Sequence, residues 1–222
     1  GFEKSKIAIW NVEQQNGRRK KKLPTRPLET KTIYQGHSGT VNDVAWHSLH
    51  PTIFGSCSEE GEIGLWDIRS QNTSKPSHRV KGHEFASESI SFNPFSEYLF
   101  ATSSLDRSIA LWDLRNLSVK LHSIHVRKDT FFKVQWSPHF RNLLATSNND
   151  RRLHIFDIDR IFSEQTVEDA ELGDSSLIFS HGGHTSRVFD FDWNPHRELC
   201  IMSASDDNVL QTWQIVSILF LS

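Results

Sequence analysis

The stretch His83–Asp113, HEFASESISFNPFSEYLFATSSLDRSIALWD, decides how the chain is read. An aromatic, Phe92, follows its histidine after nine positions, and Trp112 follows twenty positions later, with Asp113 next to it. Ser104, Asp106 and Ile109 stand eight, six and three positions before Trp112. The same ruler fits the stretches ending at Trp66-Asp67, Phe156-Asp157 and Trp213-Gln214. Its marks there are His37, Trp46, Ser58, Glu60 and Ile63, then Arg127, Trp136, Asn148, Asp150 and Leu153, then His184, Trp193, Ser205, Asp207 and Leu210. Side chains kept at constant offsets four times over mark an internal repeat.

The residues between the marks read as short strands. Val41–Trp46 (VNDVAW), Ile63–Trp66 and Ile109–Trp112 alternate apolar and polar positions, the period of a half-buried strand. Pro51, Pro94, Pro138 and Pro195 follow the first aromatic, where a turn accepts them and a central strand does not. Further short runs, Thr32–Tyr34, Ser77–Val80, Leu121–Ile124 and Leu177–Ser180, precede the His or Arg mark. Four strands in about 44–46 residues match the Trp-Asp (WD40) repeat that builds one blade of a β-propeller. No long helical period competes. The expected fold is all-β, a WD40 β-propeller that is incomplete, with about four and a half blades where seven are usual.

Resemblance to the Trp-Asp repeat implies a hydrogen-bond relay within each blade, running Trp, Ser/Thr, His, Asp. The implied relays are His83, Ser104, Asp106 and Trp112, and His184, Ser205, Asp207 and Trp213. The first unit, His37, Ser58, Glu60 and Trp66, carries Glu for Asp, so an extra methylene must be absorbed. The Arg127 unit has Asn148 and Phe156 and lacks the indole donor, so apolar packing of Val134, Trp136, Leu143, Leu144 and Phe156 is expected to hold it.

The expected segments are 1–34 (half a blade with a basic insertion), 35–81, 82–126, 127–182 (a blade with an acidic insertion) and 183–222 (a blade with a divergent tail). Ile7–Trp10 matches the end of an earlier unit, so the chain reads as cut at its start. The insertions, Asn16–Arg26 (NGRRKKKLPTR) and Phe162–Ser176 (FSEQTVEDAELGDSS), are rich in charge or turn-formers and belong on loops.

Composition excludes several function classes. The formal net charge of −2 provides no polycation for generic nucleic-acid binding, and no direct sequence-specific nucleic-acid contact is expected. Cys57 and Cys200 lie far apart without CxxC spacing, which argues against a disulfide framework and a zinc ribbon. The longest apolar run, Ile215–Leu221, is short of the roughly 20 residues that cross a bilayer, and the first residues, Gly1-Phe2-Glu3-Lys4, lack a signal peptide's apolar core. A cytosolic or nuclear chain without a membrane partner is expected. Near-copies of a Ser-His-Asp set at fixed offsets argue for a scaffold and not for a hydrolase, which needs one such set. His181 and His184 lack a Cys or acidic partner at ligand spacing, so neither a metal nor another cofactor is expected.

Beyond the generic pattern, WDIRSQNTSKPSH (66–78), ALWDLRNLSVKL (110–121), VQWSP (134–138), EDAE (168–171) and HGGH (181–184) resemble the retinoblastoma-associated histone-binding Trp-Asp proteins. The resemblance runs from about Thr32 to Ile215. It implies a non-enzymatic histone chaperone subunit in the nucleus, docking histones H4 and H3 and the subunits of chromatin assembly, remodelling, deacetylase or Polycomb complexes. It further implies a histone H4 site at the acidic insertion, with Glu164, Glu168, Asp169, Glu171, Asp174 and Phe179, where carboxylates pair with basic residues and Phe179 offers an apolar wall. The family's acidic-Gly-Pro-Pro turn is replaced here by Leu172-Gly173-Asp174-Ser175. A second implied site, for basic peptides such as the H3 tail, lies at the propeller mouth: Asn42, Glu88, Thr130 with Phe132, and Asp190.

Two other readings stay open at this point. Trp66-Asp67-Ile68-Arg69 and Trp112-Asp113-Leu114-Arg115 resemble the boxes that substrate receptors of cullin-type ubiquitin ligases present to their adaptor. The other is a truncated product without a stable function. Arg18–Lys22 (RRKKK) reads as a nuclear-import signal or a nucleic-acid contact, with a solvated charged loop as the plain alternative, and the resemblance to a chromatin protein favours import.

Overall fold

A computed structural model describes residues 5–10, 32–125, 130–164 and 174–215. Among these the secondary structure is β, apart from one 3-10 turn at Ile158–Arg160. Strands β1 (Lys6–Ile9) and β2 (Thr32–Gln35) pair with each other. Strands β3 (Val41–Trp46), β4 (Ile53–Ser58), β5 (Glu62–Asp67) and β6 (His78–Lys81) form a four-stranded antiparallel sheet in chain order. The next such sheet holds β7 (Ser87–Phe92), β8 (Leu99–Ser104), β9 (Ser108–Asp113) and β10 (His122–His125). A third holds β11 (Phe131–Trp136), β12 (Leu143–Asn148), β13 (Leu153–Asp157) and β14 (Leu177–His181). Last come β15 (Val188–Trp193), β16 (Cys200–Ser205) and β17 (Leu210–Gln214), a three-stranded meander.

The sheets pack face to face in succession, with β3, β7, β11 and β15 as the neighbouring inner strands. This is an incomplete β-propeller. Alternation along each strand sends one set of side chains to the preceding blade and the other to the following one. Three of the resulting cores are Cys57, Ile63, Leu65, Ile90, Phe92 and Trp112 between the first two full blades, Leu111, Val134, Trp136 and Phe156 between the next two, and Ile155, Phe191, Trp193 and Ile201 beyond. Each large side chain so buried contributes about 1.5–3 kcal/mol. Both cysteines are free and buried, and burial raises the Cys57 thiol pKa, which keeps it protonated and inert.

A polar latch joins consecutive blades at the turns after the inner strands. His47 Nε2 donates to Glu97 O (2.9 Å), Asn93 Nδ2 to Arg141 O (2.8 Å), and His139 Nε2 to Asn194 O (2.9 Å). The tight turn between the second and third strand of each blade places one residue at positive φ: Gly61 (71°), Arg107 (69°), Arg151 (70°) and Asn208 (63°). A left-handed conformation costs a non-glycine residue about 1–2 kcal/mol, partly offset by the entropy a glycine loses on folding. Arg151 is exposed. Arg151→Gly should therefore stabilise the fold by about 0.5–1 kcal/mol, read as a higher urea midpoint at unchanged slope.

Candidate peptide site at the channel mouth

The relays that shape the mouth use a different hydroxyl from the expected one. Trp112 Nε1 donates to Thr102 Oγ1 (2.9 Å), which meets His83 Nε2 (2.8 Å), while His83 Nδ1 meets Asp106 Oδ2 (2.9 Å). One neutral tautomer satisfies the whole path: Trp N–H to Thr O, Thr O–H to Nε2, and Nδ1–H to the carboxylate. In the last blade Trp213 Nε1 donates to Ser203 Oγ (3.2 Å), Ser203 meets His184 Nε2 (2.8 Å), and His184 Nδ1 meets Asp207 Oδ2 (3.2 Å). In the first full blade Trp66 Nε1 donates to Ser56 Oγ (2.8 Å), itself 2.7 Å from His37 Nε2.

Ser58, Ser104 and Ser205 are thus not relay members. The register sets Phe54 opposite Trp66 and Ser56 opposite Gly64, so the indole reaches its diagonal neighbour Ser56 and Ser58 lies beyond it. Ser104 and Ser205 instead accept the backbone N–H of Asp106 (3.0 Å) and Asp207 (3.4 Å), which closes the following turn. Glu60 is not in the relay either. Its longer side chain points outward and accepts from Ser38 Oγ, leaving His37 Nδ1 without a hydrogen bond, 3.8 Å from Glu62 Oε2.

The blade ending at Phe156 is wired differently. Its apolar residues are buried as expected, yet it also holds a polar pair, His154 Nε2 with Asp150 Oδ2 (3.3 Å). His154 occupies the position of Gly64, where a Cβ would stand 3.0 Å from Ser56 Oγ and 3.2 Å from His37 Nε2. In the first two full blades, where His37 and His83 fill the slot, this position is Gly64 or Ala110; in the blade of Phe156 an imidazole arrives from the strand instead. Thr146 Oγ1 donates to Asn148 Oδ1 (3.3 Å), so Asn148 takes up the hydroxyl. Arg127 itself lies outside the described residues.

A cleft of about 440 Å³ opens at the start of the four inner strands and gathers Asn42, Glu88, Phe132 and Asp190. Each inner strand has a register break here, between Val41 and Asp43, Ser87 and Ser89, Phe131 and Lys133, and Val188 and Asp190. A β-bulge turns its extra residue out of the ladder. The bulged residues are Asn42, Glu88, Phe132 and Phe189. Phe189, half exposed and four residues before Trp193, is therefore the counterpart of the first three, and Asp190, which the sequence reading placed there, is one residue off that spacing. Thr130 stays in the adjoining loop, where its carbonyl accepts Asn149 N–H (3.2 Å).

The charges in the cleft differ in their freedom. Asp190 pairs with Lys133, whose ammonium also donates to Phe191 O (2.8 Å). Arg187 binds Asp206 (3.0 Å) and lies over the Phe132 ring at 5.1 Å. Asp43 accepts from Ser89 Oγ (2.7 Å) and Ile90 N–H (3.1 Å) and so joins two blades. Glu88 receives only a long bond from Asn42 Nδ2 (3.4 Å), and no cation pairs with it among the described residues. Burial, and after it the charge of Glu59, raises the Glu88 carboxyl pKa.

Elsewhere, Glu168, Asp169 and Glu171 lie outside the described residues, as does the basic run Arg18–Lys22. Glu164 is exposed. Asp174 accepts from Ser176 N–H (2.9 Å) and Oγ (2.6 Å) and so closes the turn into β14. Phe179 packs on Trp213 with ring centroids 5.8 Å apart, at the blade interface. Among the described residues of this insertion Phe162 is an exposed apolar side chain, edge-on to His122 at 5.6 Å. Arg69 and Arg115 each fold back onto their own Asp67 and Asp113 (both 2.6 Å).

The model of the WD domain, G-beta repeat, matches residues 28–67, 74–113 and 175–214, and the unit ending at Phe156 falls outside those stretches. Members of that family generally serve as non-catalytic platforms for protein interaction. The matched repeats span more than half of the chain and supply three of the four inner-strand blades around this cleft, so the chain belongs to the WD-repeat family.

Proposed function

We propose that this scaffold is a nuclear histone-binding subunit that holds a basic segment of histone H3 in the cleft at Glu88. The observation that carries the reading is Glu88 itself: a half-buried carboxylate beside two aromatic side chains, Phe132 and Phe189, with no cation of its own. An incoming Lys or Arg relieves the cost of burying that charge and packs its methylenes on the phenyl rings. Histone H4 docking at the acidic insertion, with Phe162 as the apolar contact in place of Phe179, is the companion proposal. Attachment to chromatin assembly, remodelling, deacetylase or Polycomb complexes belongs to the same reading.

The test is fluorescence polarisation with an H3 N-terminal peptide at low salt. Glu88→Gln should weaken binding about tenfold, whereas Asp190→Asn, which removes a carboxylate already occupied by Lys133, should change it far less. Undiminished affinity in Glu88→Gln, or no binding by the parent chain, overturns the proposal. Capture of a ligase adaptor in place of histones would favour the Asp67–Arg69 and Asp113–Arg115 boxes.

A further inference from the structure

The same inner strands end, on the side away from Glu88, in a second cleft of about 290 Å³. Pro94, Pro138 and Pro195 wall it, and none of its lining residues is basic. Across its floor Gln135 Nε2 donates to Asp192 Oδ1 (2.7 Å). Only the NH₂ side of an amide donates to a carboxylate, so that bond fixes the amide's orientation. Gln135 Oε1 is left buried with no donor. A second buried polar atom in the lining, Nε1 of Trp136, which is 3% exposed, also has no partner. The matching Trp193 Nε1 does have one, Gln135 O at 3.3 Å.

The acidic groups nearby are unequal. Asp190, two residues back along β15, is neutralised by Lys133. Among the described residues Asp192 receives the Gln135 amide and no cation. A carboxylate and an orphaned acceptor side by side call for a group carrying several donors and a positive charge. Proline walls suit the methylene stem of such a group.

We infer that this cleft receives a basic side chain, lysine or arginine, from a partner's peptide segment. Its charged head meets the exposed carboxylate of Asp192, and the Gln135 amide turns to offer it Oε1. The site is separate from the cleft at Glu88 and does not depend on the histone reading.

The experiment follows the ¹⁵N indole resonances of the full chain while acetyl-Gly-Arg-Gly-amide, its lysine version or its neutral citrulline version is added. The arginine or lysine peptide should shift the Trp136 and Trp193 resonances saturably, and the relative size of the two responses tells which head group is preferred. Citrulline should do little. Asp192→Asn should weaken the response about tenfold, Glu88→Gln should leave it unchanged, and Gln135→Glu, which adds a second carboxylate, should tighten it. An equal response to citrulline, no shift at either indole, an undiminished response in Asp192→Asn, or weaker binding by Gln135→Glu overturns the inference. Near-UV circular dichroism of each variant establishes that a lost response is not lost folding.

Discussion

Asp106→Ala should lower the unfolding free energy by about 3 kcal/mol, because one carboxylate ends a buried relay and closes the turn before β9. It accepts from His83 Nδ1 (2.9 Å), from Ser108 Oγ (2.5 Å) and from Ser108 N–H (3.0 Å). Truncation strands the imidazole in a fully buried position, and a hydrogen bond to a charged group contributes about 1.5–3 kcal/mol. A domain holds about 5–15 kcal/mol in all, so this one side chain is a large share.

The same residue predicts how stability depends on pH. Burial raises the Asp106 pKa, but hydrogen bonds from His83 and Ser108 outweigh burial and hold the carboxyl well below its ordinary range. In the unfolded chain it titrates near pH 3.9 (approximately the model-peptide value), so on acidification the unfolded state takes up the proton first. The contribution is complete above that unfolded value and is lost as pH falls toward the folded one. Asp207 acts in the same direction, held at about 2 by the Thr185 backbone N–H, with help from Val209 and His184. Urea midpoints measured from pH 6 down to pH 2 should fall less steeply for Asp106→Asn than for the parent chain. Parallel slopes would remove Asp106 from the account.

Gly61→Ala is expected to destabilise by a similar amount, about 3 kcal/mol, for a different reason. Gly61 has φ +71°, and an added Cβ would stand 2.4 Å from both His83 O and Phe85 O. Those are backbone atoms of the next blade, unable to swing aside as a flexible side chain would. Left-handed strain of about 1–2 kcal/mol adds to the overlap. Gly61 O also accepts the N–H groups of Gly82 (3.0 Å) and His83 (3.1 Å), so any shift displaces the relay histidine. Gly182→Ala is the matched control: its Cβ would come no closer than 4.0 Å to Arg152 Nε, and its free energy should stay within about 0.5 kcal/mol of the parent. Equal unfolding midpoints for the two variants would refute the argument.

Much of this architecture is visible in the sequence because each blade meets the same demands. Trp66, Trp112 and Trp213 must bury an indole and satisfy its N–H, and the prolines must fall in turns. What escaped was a choice between equivalents. Ser56 and Ser58, Thr102 and Ser104, and Ser203 and Ser205 are hydroxyl pairs two residues apart on one strand face, and only the register tells which of them an indole reaches. Phe189 was within reach of the count, since it stands four residues before Trp193 as Asn42, Glu88 and Phe132 stand before Trp46, Phe92 and Trp136; Asp190 is one residue off that ruler. His154 could have been noticed, since it stands where the other blades have Gly64, Ala110 and Gln211. Its meaning needed the geometry of the vacated slot.

The bulge has a bearing on how such a protein changes over time. Asn42, Glu88, Phe132 and Phe189 put an amide, a carboxylate and two phenyl rings on one backbone device, outside the apolar cores that keep the blades together. A single codon change at one of them rewrites the preference of the mouth while the folding energy stays nearly constant. Descendants of one ancestral arc can therefore trade partners by drifting at four letters, with no intermediate that fails to fold.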